Sequence, residues 1–168
     1  MAFHTAYISV GSNLGDKPTN CKMGIEALTR KDAIWEVARS PFYKTDPVDY
    51  EQQDWFVNAA LKVETRLAPL ELLHELKAIQ RQAGRTRDPI RFGPRILDLD
   101  IIFYDHVVIK TEELIIPHPR MHKRRFVLKP ICDIDSQFIH PILKKNIQFL
   151  LNDLEPGTQQ LELFTCEY

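Results

Sequence analysis

Cysteine is scarce in this chain, and the three present are scattered. Cys21, Cys132 and Cys166 are odd in number and far apart, and none sits in a CxxC or Cys/His pair at zinc spacing. That argues against a disulfide framework or a structural zinc and for free thiols in a reducing compartment. An excess of either charge is also missing. With 22 Lys and Arg against 23 Asp and Glu the net charge is −1, so no global field recruits nucleic acid or membrane. Any anion must be held by a local cluster. No apolar run approaches the ~18 residues of a membrane span. The opening "MAFHTAYISV" lacks a basic stretch followed by a long apolar one, so a signal peptide is not supported and the cytoplasm is the expected location. The common phosphate-binding signatures are absent too. "GSNLGDK" has glycines at 11 and 15 but continues Asp16-Lys17, which is no Walker loop, and there is no GxGxxG, HRD or DFG.

What is present fits one domain over residues 1–168, with 44% apolar and 27% charged residues, enough chain to bury a core without staples. Alternating, β-branched "TAYISV" (5–10) reads as a strand. A loop follows, then an amphipathic helix over about 20–30. "AIWEVARSPFYKT" (33–45) and "WFVNAALKVET" (55–65) read as strands around the polar stretch 46–54. Pro69 opens a second helix carrying Leu70, Leu73, Leu76 and Ile79, and Gly84 suits the position just past its end. A loop with two glycines and two prolines (84–95) leads to a strand at 96–104. Residues 126–134 could begin as a helical turn that Pro130 ends, and 160–165 is a possible last strand. The order predicts an α+β fold with a ferredoxin-like βαββαβ core: a mainly antiparallel sheet, helices on one face and ligand loops on the other.

The strand "RILDLDIIF" (95–103) carries two carboxylates in an apolar run. Leu97, Leu99, Ile101 and Phe103 are expected to point into the helix-packed core, and Asp98 and Asp100 together to the other face. Their Cα atoms would lie about 6–7 Å apart, where two unit charges repel by roughly 2–3 kcal/mol at an effective dielectric of ~20. Arginines, a shared proton or cations must offset that. Two aspartates with most coordination positions open suit Mg²⁺ arriving with a polyphosphate; a solvated sheet face capped by salt bridges is the alternative. The preceding loop bears on the choice. Arg81, Arg85, Arg87, Arg91 and Arg95 lead directly into the acidic pair, and guanidinium groups grip several phosphates at once. Together they form the two halves of a nucleoside-triphosphate site.

"HPRMHKRR" (118–125) adds a second basic segment, either a separate RNA-contacting patch or a closure over the same phosphates. Phe56 and Asn58 share a strand face, and Phe126 follows the basic segment. Two aromatic faces with an amide between them could sandwich a flat heterocycle, although base rates make both rings core residues.

Five segments resemble one family in order. "YISVGSNLGD" (7–16), "SPFYKTDPV" (40–48), "FVNAALKVET" (56–65), "GRTR" with "RFGPRILDLDIIFYD" (84–105), and "IPHPRMHKRRFVLKP" (116–130) are similar to the 6-hydroxymethyl-7,8-dihydropterin pyrophosphokinases of the folate pathway. The resemblance runs from about residue 6 to 141. It implies a ferredoxin-like fold and transfer of the terminal pyrophosphoryl unit of ATP to a pterin hydroxymethyl group, with release of AMP. It implies that Asp98 and Asp100 bind two Mg²⁺ ions arriving with ATP, and that Arg85 and Arg95 hold the phosphates. Arg87, Arg91, His118 and Arg124 would be further ATP contacts, with Ile101 near the adenine. Thr45, Asp46 and Val48 match the pterin loop, Phe56 and Phe126 the stacking pair, and Asn58 the edge-reading amide. Lys77, Gln80 and Phe92 fall on the nucleotide side but depart from the pattern: Gln80 stands where a glutamate is usual, and Phe92 where a Trp is common. The loops 46–54 and 84–95 look like lids. The partners implied are ATP and a reduced pterin, with neither nucleic acid nor membrane, and a monomer is expected. The last ~25 residues match nothing in the resemblance. Two other readings remain, an RNA-binding sheet and a magnesium nuclease; the acidic pair argues against the first, and the paired phenylalanines have no role in the second.

Overall fold

In the computed structural model residues 2–46, 54–84, 95–157 and 159–165 are described. Strand β1 (His4–Ser12) runs down the middle of an antiparallel sheet, between β4 (Phe56–Thr65) and β5 (Asp98–Tyr104). β2 (Ile34–Arg39) and β3 (Tyr43–Thr45) both pair with β4. The expected strand over 33–45 is thus two. Ser40 breaks it, bonding through N–H to the Ala60 carbonyl and through Oγ to the Ala60 N–H, and Pro41 follows. Short strands β6 (Ile109–Lys110) and β7 (Ile115–Ile116) form a separate ribbon, while β8 (Leu161–Leu163) extends the main sheet beside β3, as "QLELFT" suggested.

Helices α1 (Lys17–Thr29) and α2 (Pro69–Gln82) cover one face. Asp16 starts α1 ahead of the expected residue 20 by accepting the Thr19 N–H, which supplies an orphan donor of the first turn with a partner. Pro69 and Gly84 bracket α2 as expected, Gly84 in the left-handed region at φ +96°. Ile8, Val10, Leu61 and Val63 from the sheet meet Ile25, Leu28, Leu72 and Leu76 from these helices, each fully buried aliphatic side chain stabilising by about 1.5–3 kcal/mol.

Two more helices take the opposite face. α3 (Arg125–Asp135) and α4 (Ile147–Asn152) pack Val127, Leu128, Ile131, Ile147 and Leu150 against Tyr7, Ala60, Ile102 and Phe103. The one-sided arrangement therefore holds for α1 and α2, and α3 adds a second layer over part of the ligand side. Pro130 does not end α3: it lies inside the helix and is buried. Its ring removes one N–H from the middle of the helix, and the packing of its neighbours outweighs that loss. Phe103 is also redirected. A register shift between Tyr7 and Ile8 opposes two β1 residues to Phe103 and Ile101, leaving Ile102 as the extra residue. The bulge turns both Ile102 and Phe103 toward α3, while Leu99 and Ile101 stay with α1 and α2. Among the described residues no helix is long and apolar enough to cross a membrane.

Candidate active site

The site is built on the α3 face of three strands. Gly11 of β1 pairs with Asp98 of β5 on one side and with Asn58 of β4 on the other, and Asn58 pairs in turn with Tyr43 of β3. One row across the sheet therefore reads Asp98, Gly11, Asn58, Tyr43. The neighbouring row places Asp100 opposite Ser9 and Ser9 opposite Ala60. The alternation of β5 delivers both carboxylates to this face, half-buried, while Leu99 between them is in the core.

Gly11 is the residue that sequence reasoning missed. A Cβ there would lie 2.7 Å from Asn58 Oδ1, so only glycine lets the amide lie across β1. Asn58 is 5% exposed and donates from Nδ2 to Thr45 Oγ1 at 2.6 Å. Its amide is thus fixed by one neighbour that accepts and one that has no side chain. Thr45 is buried beside it, and Phe56, on the same face of β4, pairs with Thr45 in the ladder. Phe126 in the first turn of α3 packs against the same layer, with the Arg124 guanidinium 5.5 Å from its ring centre. The structure therefore brings Thr45, Phe56, Asn58 and Phe126 to one face. Asp46 lies exposed at the end of the described stretch; Val48 lies outside the described residues.

On the nucleotide side the picture is mixed. Arg95 joins the site through its backbone: Asn13 donates its N–H to the Arg95 carbonyl at 3.0 Å and accepts the Arg95 N–H on Oδ1 at 2.7 Å. His118 donates its backbone N–H to Ile102 at 3.0 Å, which fastens the basic segment to the outer edge of β5. Burial, and then the cations Arg124 and Arg120, push the His118 imidazole down to about 4 against the opposing pull of Asp98. The ring is neutral near pH 7. Its Nδ1 accepts the Arg120 N–H, so the proton sits on Nε2 and is available for donation.

Two sequence expectations change. Gln80 is 4% exposed, and its Oε1 accepts the Leu99 N–H at 3.1 Å. It holds the strand between the two aspartates from the core side rather than facing their ligand. Ile101 also points its side chain into the α1–α2 core, so only its backbone is left to approach a ligand on the aspartate face. Lys77 is exposed on α2, whose buried side packs on the face away from the aspartates. Arg85, Arg87, Arg91 and Phe92, with nearly all of both expected lids, lie outside the described residues. A cavity of about 900 Å³ between α3, α4 and β8, walled by Arg125, Lys129 and Gln148 among others, includes none of the expected site residues.

Residues 7–136 match the family model described as 7,8-dihydro-6-hydroxymethylpterin-pyrophosphokinase (HPPK). The chain belongs to that family. It is accordingly an ATP-dependent diphosphotransferase of folate synthesis. The 2-amino-4-hydroxy-6-hydroxymethyldihydropteridine pyrophosphokinase of Bacillus subtilis is 45% identical over 132 residues, 79% of this chain and 78% of that protein. The bifunctional protein FolKE of Lactococcus lactis is 44% identical over 164 residues, 97% of this chain but 46% of its own length. That match runs into the C-terminal segment, which the sequence alone left unplaced. Among solved structures, the Plasmodium falciparum HPPK-DHPS with pteroate superposes with a TM-score of 0.73 over 90% of this chain and 42% of that one, at 16% identity. That likeness is one of fold.

Proposed function

We propose that the row Asp98–Gly11–Asn58 is where ATP and 6-hydroxymethyl-7,8-dihydropterin meet. The observation that carries this is the register. It sets a carboxylate pair on β5 and a constrained amide on β4 on the same face, with no side chain between them. Strands lie about 4.8 Å apart, so the two groups stand roughly 10 Å from each other across β1. That separation suits a flat heterocycle at Asn58 whose hydroxymethyl arm reaches toward phosphates beside Asp98.

Asn58 reads the polar edge of the pterin, and Phe56 and Phe126 take its two faces. Thr45 orients the amide, while Asp46 and Val48 border the ring through the backbone. Asp98 and Asp100 fit two Mg²⁺ ions that come with ATP. Two carboxylates leave the remaining coordination positions to phosphate and water. Held there with ATP, the ions would supply neutralisation of the triphosphate charge. Arg85 and Arg95 hold the phosphates bidentately, with Arg87, Arg91 and Arg124 around them and Phe92 over the nucleotide. Neutral His118 offers its Nε2–H to a phosphate oxygen. The pterin hydroxyl attacks the β-phosphorus in line, the bond to the α-phosphate oxygen breaks, and AMP leaves. Asp100 is a candidate for taking the hydroxyl proton, and activation by the metal is the alternative. Arginines aimed at the leaving oxygen stabilise the charge that develops there. Lys77 and Gln80 act from the far side, Gln80 by holding β5.

One domain of this size carries the whole reaction as a monomer, in the cytoplasm, where Cys21 and Cys132 stay free thiols. The alternative of an RNA-binding sheet is disfavoured by α3, which covers part of the face such a module would leave open. The test is chromatography of nucleotides after mixing protein, ATP, Mg²⁺ and the reduced pterin. AMP formed only with pterin present is expected; ADP would sink the reaction. Asp98→Ala and Asp100→Ala should each lower kcat by about 10²–10⁴-fold with an unchanged circular dichroism spectrum.

A further inference from the structure

Helix α3 starts on a residue that cannot cap it. Arg124 is its N-cap, extended at φ −118° and ψ 105°. A guanidinium carries donors only, so its side chain has nothing to offer the orphan N–H groups of the first turn. The acceptor comes from far along the chain. Gln159 accepts the Arg125 N–H on Oε1 at 2.7 Å and donates from Nε2 to the Lys123 carbonyl at 3.1 Å. Those two groups belong to the two peptide units that flank Arg124. One amide therefore clasps the backbone before and after that residue and fixes the direction in which its side chain leaves. The segment that carries the amide is anchored on both sides. Arg125 Nη2 donates to the Glu155 carbonyl at 3.3 Å, and β8 begins at Leu161 and pairs with β3. Gln159 itself stands in the left-handed region at φ +57°, which glycine would occupy at lower cost. The turn alone gives no reason for a glutamine there; the two bonds of its amide do.

We propose that Gln159 is a positioning residue for Arg124, supplying from the C-terminal segment the cap that lets the start of α3 carry a phosphate-binding arginine. The proposal rests on the assignment of Arg124 to the ATP phosphates made above. A Ser or Asp at residue 124 would cap the helix but could not grip a phosphate. An arginine there, with its acceptor brought from residue 159, does one task while Gln159 does the other. The Arg124 guanidinium lies 5.5 Å from the Phe126 ring centre, at the end of a long side chain. A small rotation of the flanking peptide units therefore swings it off the phosphates. Phe126 lies inside the first turn and is held by the packing of α3 on the sheet, so it moves less.

The test measures initial rates of AMP release with each substrate varied in turn, in the wild type and in an Arg124→Ala background. Gln159→Leu keeps most of the side-chain volume and loses both bonds. Gln159→Gly loses them too but relieves the left-handed backbone, which guards against a variant that merely misfolds. With Arg124 present, both variants should lower kcat/KM for ATP about five- to tenfold and leave the pterin KM within about twofold of wild type. With Arg124 replaced, the same two changes should alter kcat/KM by less than about twofold, since nothing is left to be positioned. An equal loss in both backgrounds would mark a general structural defect and overturns the proposal alone. So do wild-type kinetics in both Gln159 variants, and so does failure of both to fold. Arg124→Ala with wild-type kinetics removes the assignment of Arg124 and the proposal with it. Wild-type protein that makes no AMP overturns the reading of the whole site and this proposal together.

Discussion

At the scale of single residues the site depends on atoms that are absent as much as on those present. Gly11→Ala puts a methyl group 2.7 Å from Asn58 Oδ1, and the amide must swing away from Thr45 to relieve it. A misfit of this kind costs about 1–3 kcal/mol. The pterin KM should therefore rise tenfold or more, with the KM for ATP little changed, in steady-state assays of either substrate. Asn58 was legible in the sequence as an amide on the same strand face as Phe56. Gly11 was read only as a loop signal, because one chain cannot show that its direct partner on the next strand, Asn58, needs the room. Gln80 shows the converse. Its place in the family pattern suggested a nucleotide contact, but its 4% exposure and its bond to the Leu99 N–H come from α2 packing against β5, which no local spacing reveals.

At the scale of elements, α3 is held to the sheet by two tyrosines. Tyr7 donates to Asp135 at 2.6 Å and Tyr43 donates to Asp133. Each carboxylate has a lysine as well, Lys62 at 3.7 Å from Asp135 and Lys129 at 2.7 Å from Asp133. Burial first, then the facing carboxylates, push both phenols well above the ordinary tyrosine range, so they donate at every physiological pH. Tyr7→Phe and Tyr43→Phe should each cost about 1 kcal/mol in chemical denaturation. The pair should raise the pterin KM more than the ATP KM, since Phe126 rides on α3. The two helices of the ferredoxin-like core were readable from leucine spacing and from the Pro69 and Gly84 punctuation. α3 was not, because Pro130 is a helix breaker by propensity and only burial against Tyr7 and Ala60 keeps the helix going. The two-strand form of 33–45 was likewise hidden, since Ser40 needs the Ala60 backbone across the sheet to mark the break.

For the whole molecule, pH is the variable that reaches furthest from the site. His140 is 4% exposed and accepts the Ile142 and Leu143 N–H groups on Nδ1. Burial, and then the nearby His122, lower its ring from 6.5 to about 4, and His118 behaves alike. Both stay neutral in the fold through a range where the unfolded chain takes up protons. Unfolding therefore binds protons between about pH 6.5 and 4. Stability is unaffected above that window and falls as pH drops through it. Calorimetry from pH 7.5 to 4.5 should show the midpoint falling below 6.5, and less steeply in His140→Gln, whose amide oxygen can still accept from the turn. The fold class was legible at this scale because strand and helix order alone restrict the topology to few choices. The carboxylate pair was legible too, since period-two alternation places it without any tertiary knowledge. The row that joins it to Asn58 needed the register. That row works as a ruler. Its graduations are strand spacings, which side-chain evolution cannot easily alter, so the distance from heterocycle to phosphate is set by the backbone itself. An alcohol one methylene longer would seat its ring correctly and overshoot the phosphorus. Discrimination of that kind rejects a substrate by length and leaves the chemistry of its ring to Asn58.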